Sequence, residues 1–332
     1  MRASVIIPSY NAASTLPETI ESILPQLTEQ DEIIIVDDGS TDNTKDLVSL
    51  YLNDRIRYIW QPNSGGPASP RNRGIAAARG KYIFLFDSDD IMLPGKIEDS
   101  LAALNEHPDS GLLFTNFKTI DEHGNTLRTR FLDSYSFIKK IQNNPKKTVF
   151  RLPTPEPWLY LSKQNYIGTS GVVIPKNIFL DVGYFDEEIQ NGDDRGMWFE
   201  IAKRYNIIYL SNEYHEYRIH QNSISSGNAK KRATNKIKVL ERQLKNSSTT
   251  KFQERINREF RLNIRKLLSK NYHDIACEQV NSGNHLSALK SIFRSIAHYP
   301  SKNSLSLLMK ISLGQNLLGK MRKTKKLLKK NG

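Results

Sequence analysis

The stretch YIFLFDSDDIMLP, Tyr82 to Pro94, decides how the rest of the chain is read. Tyr82 to Phe86 form an unbroken apolar and aromatic run, the pattern of a strand buried on both faces. The run ends in Asp87, Asp89 and Asp90, so three carboxylates gather where a buried strand would reach the surface. Working outward, SVIIP (Ser4 to Pro8), EIIIVDD (Glu32 to Asp38), IRYIWQ (Ile56 to Gln61) and KYIFLF (Lys81 to Phe86) all read as buried strands, each separated from the next by a stretch of helical length. Helix starts fit between them. Ser14 precedes Pro17 and Glu18, Ser40 or Thr41 precedes DNTKDLVSLYL, and Pro94 opens GKIEDSLAALNEH. This alternation predicts an α/β layered domain with a mostly parallel sheet. Ligands of open sheets sit outside the carboxyl ends of the strands, and Asp37, Asp38, Asp87, Asp89 and Asp90 all fall at such ends.

Composition bounds what such a site can serve. The 332 residues, 38% hydrophobic and 25% charged, can bury one large core or two smaller ones. Cys277 is the single cysteine, which excludes an internal disulfide and a cysteine-rich metal site and fits a reducing compartment. Apolar runs stay short of a membrane span, and Met1 leads into ASVIIPSYN without the layout of a signal peptide, so a cytoplasmic catalytic region is expected. The net charge of +13 is unevenly spread. Residues 228–332 carry 25 Lys+Arg against 5 Asp+Glu, and residues 1–227 carry 23 against 30, so an acidic front precedes a basic back. The front has no basic stripe with interleaved aromatics, no zinc-finger spacing and no RNP-like segment, which argues against nucleic acid as a partner. Membrane phosphates suit the back half better, and peripheral contact at the inner face of an anionic membrane is expected.

The strand-end acids need a chemical role. No G-x-G-x-x-G or Walker loop follows the first strand, so the positive charge for a phosphorylated ligand has to come from elsewhere. A divalent cation, Mn²⁺ or Mg²⁺, held by carboxylates and phosphate oxygens would supply it, and DSD at a strand end suits that task. Turn formation and helix capping are the alternative uses of two nearby aspartates.

ASVIIPSYNA, IIIVDDGSTDNT, NSGGPASPRNRGIAAARGKYIFLFDSDDIMLP, GTSGVVIPKNIFLDVGYFDE, NGDDRGMWFEIAKRY and YRIHQNSIS occur in that order and at natural spacing. Together they resemble the family 2 glycosyltransferases, nucleotide-sugar-dependent enzymes of the GT-A fold, over roughly Ala3 to Ser226. The resemblance implies that Pro8 and Tyr10 end the first strand with the aromatic ring packed on the nucleotide base. It implies that Asp38 accepts a hydrogen bond from the base, which suits the N3–H of uracil, with Asp37 capping the following turn. Arg71 matches a basic position near the nucleotide-sugar, while Asn72 and Arg73 could cap and solvate a helix start. Asp87 and Asp89 match the D-x-D pair, Asp89 as metal ligand and Asp87 nearer the ribose or sugar; Asp90 extends the cluster without an assigned role.

Sugar transfer to a hydroxyl needs a base for the acceptor proton and stabilisation of the leaving diphosphate. Asp194, at the opening of a helix in NGDDRGMWFEIA, matches the family's base, with helix capping as its alternative use. Asp193 beside it stands where the family usually has Glu, and is expected to raise the proton affinity of Asp194. Period-two alternation would put Arg218 and His220 on one strand face, and in related enzymes a histidine in such a segment approaches the metal or the diphosphate. Trp158, Trp198 and the loop Thr169 to Gly171 are expected to shape the acceptor pocket. Inversion is expected because no convincing nucleophile for a double displacement is present.

After Gly227 the pattern becomes helical. KIKVLERQL, FQERINREFRLNIRKLLSK and HDIACEQVNSGNHLSALKSIFRSIAHYPS carry apolar residues at three- and four-residue spacing, punctuated by Gly283 and Pro300. The third stretch looks like a single tetratricopeptide-type hairpin. Leucines followed by a basic cluster from Lys320 to Lys330 read as an amphipathic segment at an anionic surface or as a solvated tail. The expected organisation is therefore a GT-A catalytic domain over 1–227 and a basic helical extension over 228–332. The expected activity is a metal-dependent, inverting transfer from a nucleotide-diphosphate sugar, with a lean to UDP, onto a glycan or lipid-linked acceptor in cell-surface polysaccharide synthesis. A catalytically silent copy of the fold is the alternative, disfavoured by intact Asp89 and Asp194. A haloacid-dehalogenase-like phosphatase would need its D-x-D on the first strand rather than the fourth.

Overall fold

The four apolar runs are four parallel strands in the computed structural model, which describes residues 1–142, 144, 146–190, 192–220, 229–247 and 252–312. The chain divides into two compact units, Met1–Ser226 and Gly227–Gly332. The first begins β1 (Ala3–Ser9), α1 (Leu16–Ile23), β2 (Asp31–Asp37), α2 (Thr44–Ser49), β3 (Ile56–Trp60), α3 (Ala68–Ala77) and β4 (Tyr82–Leu85). These strands lie in the order β3-β2-β1-β4. The register Ala3↔Asp31 through Ser9↔Asp37 brings β1 and β2 to an end together, so Tyr10 and Asp38 leave adjacent strand ends.

The unit continues with β5 (Ile91–Met92), α4 (Lys96–Glu106), β6 (Ser110–Ile120), β7 (Thr126–Arg128), α5 (Ser136–Ile141), β8 (Val149–Leu152), α6 (Glu156–Leu161), β9 (Val173–Pro175), α7 (Ile178–Val182), α8 (Asp193–Ala202) and β10 (Asn206–Arg218). The sheet runs on from β4 through β9, β6 and β10 to β5. β9 is antiparallel to both β4 and β6, whereas β6 and β10 are parallel. β7 pairs with β6, and β8 with β10.

Strand alternation divides the core into two layers. Val5, Ile7, Ile33, Ile35 and Phe84 share a buried cluster with Leu16, Ile20 and Ile23 of α1 and with Ile97, Leu101 and Leu104 of α4. Each such aliphatic side chain contributes roughly 2 kcal/mol on burial. On the other face α3 lies close to β1: a Cβ at Gly74 would stand 2.4 Å from Cγ2 of Ile6. That approach holds the preceding turn of α3, which carries Arg71, against the strand ends.

The second unit contains α9 (Ala229–Asn246), α10 (Glu254–Asn281) and α11 (His285–His298), followed by helical residues 302–312. Phe260, Ile264, Leu268, Tyr272, Ile275 and Ala276 are the buried stripe of α10. α10 joins the second helical stretch read from sequence to the first part of the third, and Gly283, at φ +77°, makes the turn into α11. The side chain of Asn284 then caps α11 by accepting from the Ser287 amide at 3.2 Å. The basic cluster at 320–330 lies outside the described residues. No helix among the described residues is long and apolar enough to cross a membrane.

Candidate active site

Beyond β4 the chain turns through Asp87-Ser88-Asp89-Asp90, and the turn is pinned from below. The Phe86 amide donates to the Ile6 carbonyl at 3.0 Å. The Asp87 amide donates to Ser170 Oγ at 3.1 Å, and that hydroxyl donates to Asp90 Oδ2. Asp90 Oδ1 accepts from the Arg218 amide at 3.0 Å. Asp90 is fully buried, and burial together with the charges of Asp89 and Asp87 pushes its carboxyl well above the usual range. Its role is thus to anchor the turn that presents its two neighbours. Ser170 does the same from the 169–171 loop; being 2% exposed, it braces the acidic turn instead of lining an acceptor pocket.

Arg218 closes the turn from the side. Its Nε donates to the Asp89 carbonyl at 3.1 Å, and Nη2 pairs with Glu18 Oε2 at 2.6 Å. His220 lies two residues past the end of β10, so strand alternation does not place it beside Arg218 as expected. It reaches the same turn nonetheless, with Nε2 2.9 Å from Asp89 Oδ2. Burial and the neighbouring Asp87 charge raise the Asp89 carboxyl above its ordinary value, with His220 opposing them. A cation here would relieve that repulsion, and a carboxylate with an imidazole is a donor pair that suits Mn²⁺ better than the oxygen-preferring Mg²⁺, with diphosphate oxygens to complete it. Among the described residues no group of three or more His, Cys, Asp or Glu side chains gathers where it could hold a metal ion.

Asp87 turns the other way. Its Oδ1 accepts from Arg71 Nη2 at 2.9 Å, while Arg71 Nη1 donates to Asp193 Oδ2 at 3.0 Å. Arg71 is 5% exposed and stays charged: Asp193 and Asp87 outweigh the opposing effect of its burial. One guanidinium therefore ties the D-x-D turn to the start of α8. Gly192, at φ +87°, leads into that helix, so neither aspartate is its N-cap. Burial drives Asp193 up to about 6, against the pull of Arg71. Asp194 is half-buried, and burial raises its carboxyl too. Asp87 adds to this rise, and the repulsion within the Asp193–Asp194 pair acts at Asp193, which Asp194 raises. Asp194 Oδ2 accepts from Asn165 Nδ2 at 3.2 Å, a contact that favours its ionised form.

Just past β1, Tyr10 is 52% exposed, and Pro8 sits within β1 opposite Val36. Asp38 is buried. Its carboxylate accepts from Gln61 Nε2 at 2.6 Å, from the Ser64 amide at 3.0 Å and from Ser64 Oγ at 2.9 Å. The Ser64 amide reaches the other carboxylate oxygen as well, at 3.1 Å, so protein donors already face all of the roughly four acceptor positions. Asp37 caps the next turn by accepting from the Ser40 amide at 2.8 Å. Asn72 exchanges hydrogen bonds with the backbone of Phe185, bracing that loop, and Arg73 lines a groove of about 450 Å³ with Ser69 and Tyr184.

Two expectations fail on burial. Trp158 and Trp198, expected at the acceptor pocket, are 1% and 0% exposed and belong to the core. Gln61, Ser64, Asn165 and Glu18 were missed by the sequence reading. Only the proximity of Gln61 and Ser64 to a strand end could have flagged them, because Asn165 and Glu18 act through contacts far apart in sequence.

A layered sheet with an acidic strand-end turn on one side of a buried arginine and a helix-opening aspartate pair on the other defines a GT-A-type protein. S. aureus TarS residues 1–349, solved in complex with UDP-GlcNAc, share the fold with a TM-score of 0.67 at 18% identity, over 94% of this chain and 90% of that one. Residues 4–163 match the model of glycosyl transferase family 2. The chain is 30% identical to the putative teichuronic acid biosynthesis glycosyltransferase TuaG of Bacillus subtilis over 67% of its length and 81% of TuaG. It is 28% identical to the Escherichia coli UDP-Glc:alpha-D-GlcNAc-diphosphoundecaprenol beta-1,3-glucosyltransferase WfgD, over 72% of this chain and 83% of WfgD. The chain belongs to glycosyltransferase family 2. It spans about a third of the length of several further curated relatives that are 32–35% identical to it.

Proposed function

We propose that the Met1–Ser226 unit transfers a sugar from a UDP-sugar to a hydroxyl of a glycan or lipid-linked acceptor, with inversion, in cell-surface polysaccharide synthesis. The observation that carries this reading is the Arg71 bridge, which joins Asp87 to Asp193 within hydrogen-bond distance and so holds donor-side and base-side carboxylates in one buried network. Asp194 is the residue at that end still open to a substrate. In the displacement, the acceptor oxygen attacks the anomeric carbon from the face opposite the diphosphate. The Asp194 carboxylate takes the hydroxyl proton, and the bond from the anomeric carbon to the diphosphate oxygen breaks with its electron pair on UDP. The raised proton affinity of Asp194 improves it as a base. Asp89 and His220 would hold a divalent cation, which supplies positive charge to the leaving diphosphate. Arg71, beside Asp87, adds a fixed cation that needs no metal. Tyr10 offers its exposed ring to the base, and Asp38 orders the 61–64 loop around it.

The UDP preference draws support from the names of WfgD and of the TarS complex. A lipid-linked acceptor draws on WfgD, and places the enzyme at a membrane. Purified protein incubated with UDP-sugars and Mn²⁺ should release UDP, and Asp89→Ala should abolish the Mn²⁺-dependent part of UDP binding measured by calorimetry. UDP affinity that ignores both Mn²⁺ and the Asp89 substitution would remove the metal role; absence of UDP binding under all conditions would remove the donor.

A further inference from the structure

The second unit contains a face that sugar transfer does not use. α11 packs through Ala288, Ile292 and Ser295. Opposite that side, Leu286, Lys290, Phe293 and Ala297 are exposed and fall within about 60° of one another at 100° per residue. Leu286 is 70% exposed and Phe293 57%. Helical residues 302–312 repeat the arrangement. Ser304 is buried, with its Oγ 2.8 Å from Ser295 Oγ, while Leu305 and Met309 are exposed between Lys302 and Lys310. From Gln279 to Gly332 the sequence has 11 Lys+Arg and no Asp or Glu.

From this juxtaposition we propose that α11 and residues 302–312 form an interfacial face that seats the protein on an anionic lipid surface; the proposal rests on the reading of a membrane-borne acceptor. Large apolar side chains standing out singly among lysines match an interfacial helix: leucine and phenylalanine enter the acyl boundary while the ammonium groups reach lipid phosphates. A second copy of the chain is a poor occupant, because pairing this face with itself would set like charges together without a single acid to offset them. An acidic protein would satisfy the lysines, but outward-standing Leu286 and Phe293 would need a matching recess in it. A fluid acyl boundary needs none.

The test uses the full chain and vesicles of equal parts phosphatidylglycerol and phosphatidylcholine, with pure phosphatidylcholine vesicles and polyglutamate as comparators. The protein should sediment with the anionic vesicles at low salt and be released as salt rises. Leu286→Ser with Phe293→Ser, and separately Lys290→Glu with Lys310→Glu, should each lower partitioning by about ten-fold or more. Both variants should keep the wild-type helical circular dichroism and UDP affinity. Loss with the lysine variant but none with the Leu286 and Phe293 variant would overturn the proposal, leaving a solvated basic surface. Capture by polyglutamate at the expense of vesicles would overturn it in favour of an acidic protein. Self-association abolished by Phe293→Ser would overturn it in favour of a second copy. Vesicle binding by a protein that turns over no UDP-sugar would uphold this face while sinking the proposed transfer.

Discussion

The two units use charge in opposite ways. In the first, buried charged groups are paired: Arg71 with Asp87 and Asp193, Arg218 with the exposed Glu18, and Asp90 with Ser170 and the Arg218 amide. Buried pairs of this kind add little net stability, yet removing one partner is costly, so they specify geometry. In the second, lysines and large apolar side chains stand in solvent on the same helices. Exposed charges are screened and individually weak, so they suit an extended surface whose affinity is a sum. Placement within fractions of an ångström is therefore what the first unit offers, and the attachment proposed above falls to the second.

The strongest way to break this contrast is Asp194→Asn. The substitution keeps shape and the neighbouring contacts but removes the proton acceptor, so kcat should fall by roughly 10²- to 10⁴-fold with donor affinity retained. Steady-state turnover together with UDP calorimetry checks it, and near-normal turnover would move the base elsewhere, Asp193 first. Next in size is Asp193→Ala. It leaves Arg71 Nη1 without its buried partner, so stability to urea should drop by about 3 kcal/mol. Lys290→Glu in the second unit should stay within about 0.5 kcal/mol of wild type. Equal costs at the two sites would erase the distinction between specifying and attaching charge.

Local pattern made part of this legible. The runs Val5 to Pro8 and Tyr82 to Phe86 are apolar throughout because their strands are covered on both faces, and that continuity reads directly from sequence. Strand-end acids followed from the same reading. β6 and β10 escaped it although both are long: their middles mix Thr, Asn, Ser and Glu with apolar residues, and β10 joins β6 across three register shifts, so no clean period survives. His220 reaches the acidic turn, but not by the strand-face argument, which failed because β10 ends at Arg218. The Arg71 bridge was not legible at all. It depends on Gly74 letting α3 meet β1 and on α8 arriving more than a hundred residues later. Trp158 and Trp198 were misread because a large aromatic near catalytic motifs looks the same in sequence whether it faces a pocket or fills the core.

The smallest expected effect sharpens the comparison most, since it asks whether burial tunes the base. Burial raises the Asp194 carboxyl above the 3.8 of an ordinary aspartate, and the Asn165 hydrogen bond pulls it partly back down. A raised acid holds its proton in the folded protein at pH values where the unfolded chain has lost it. The contribution of this group to stability therefore falls as pH climbs from 3.8 through the raised value. Activity runs the other way, because the base works only when ionised, so the acidic limb of kcat/KM should lie above 3.8. The Arg195 amide and Arg71 also favour the charged form; Asn165→Ala removes one of these three supports and should shift that limb to somewhat higher pH, with little change on the plateau. Lys290→Glu, in the unit proposed for attachment, should leave the limb where it is. A pH–rate series on the three proteins decides it: a limb that stays put or moves down in Asn165→Ala would mean that Asp194 is not the group being titrated.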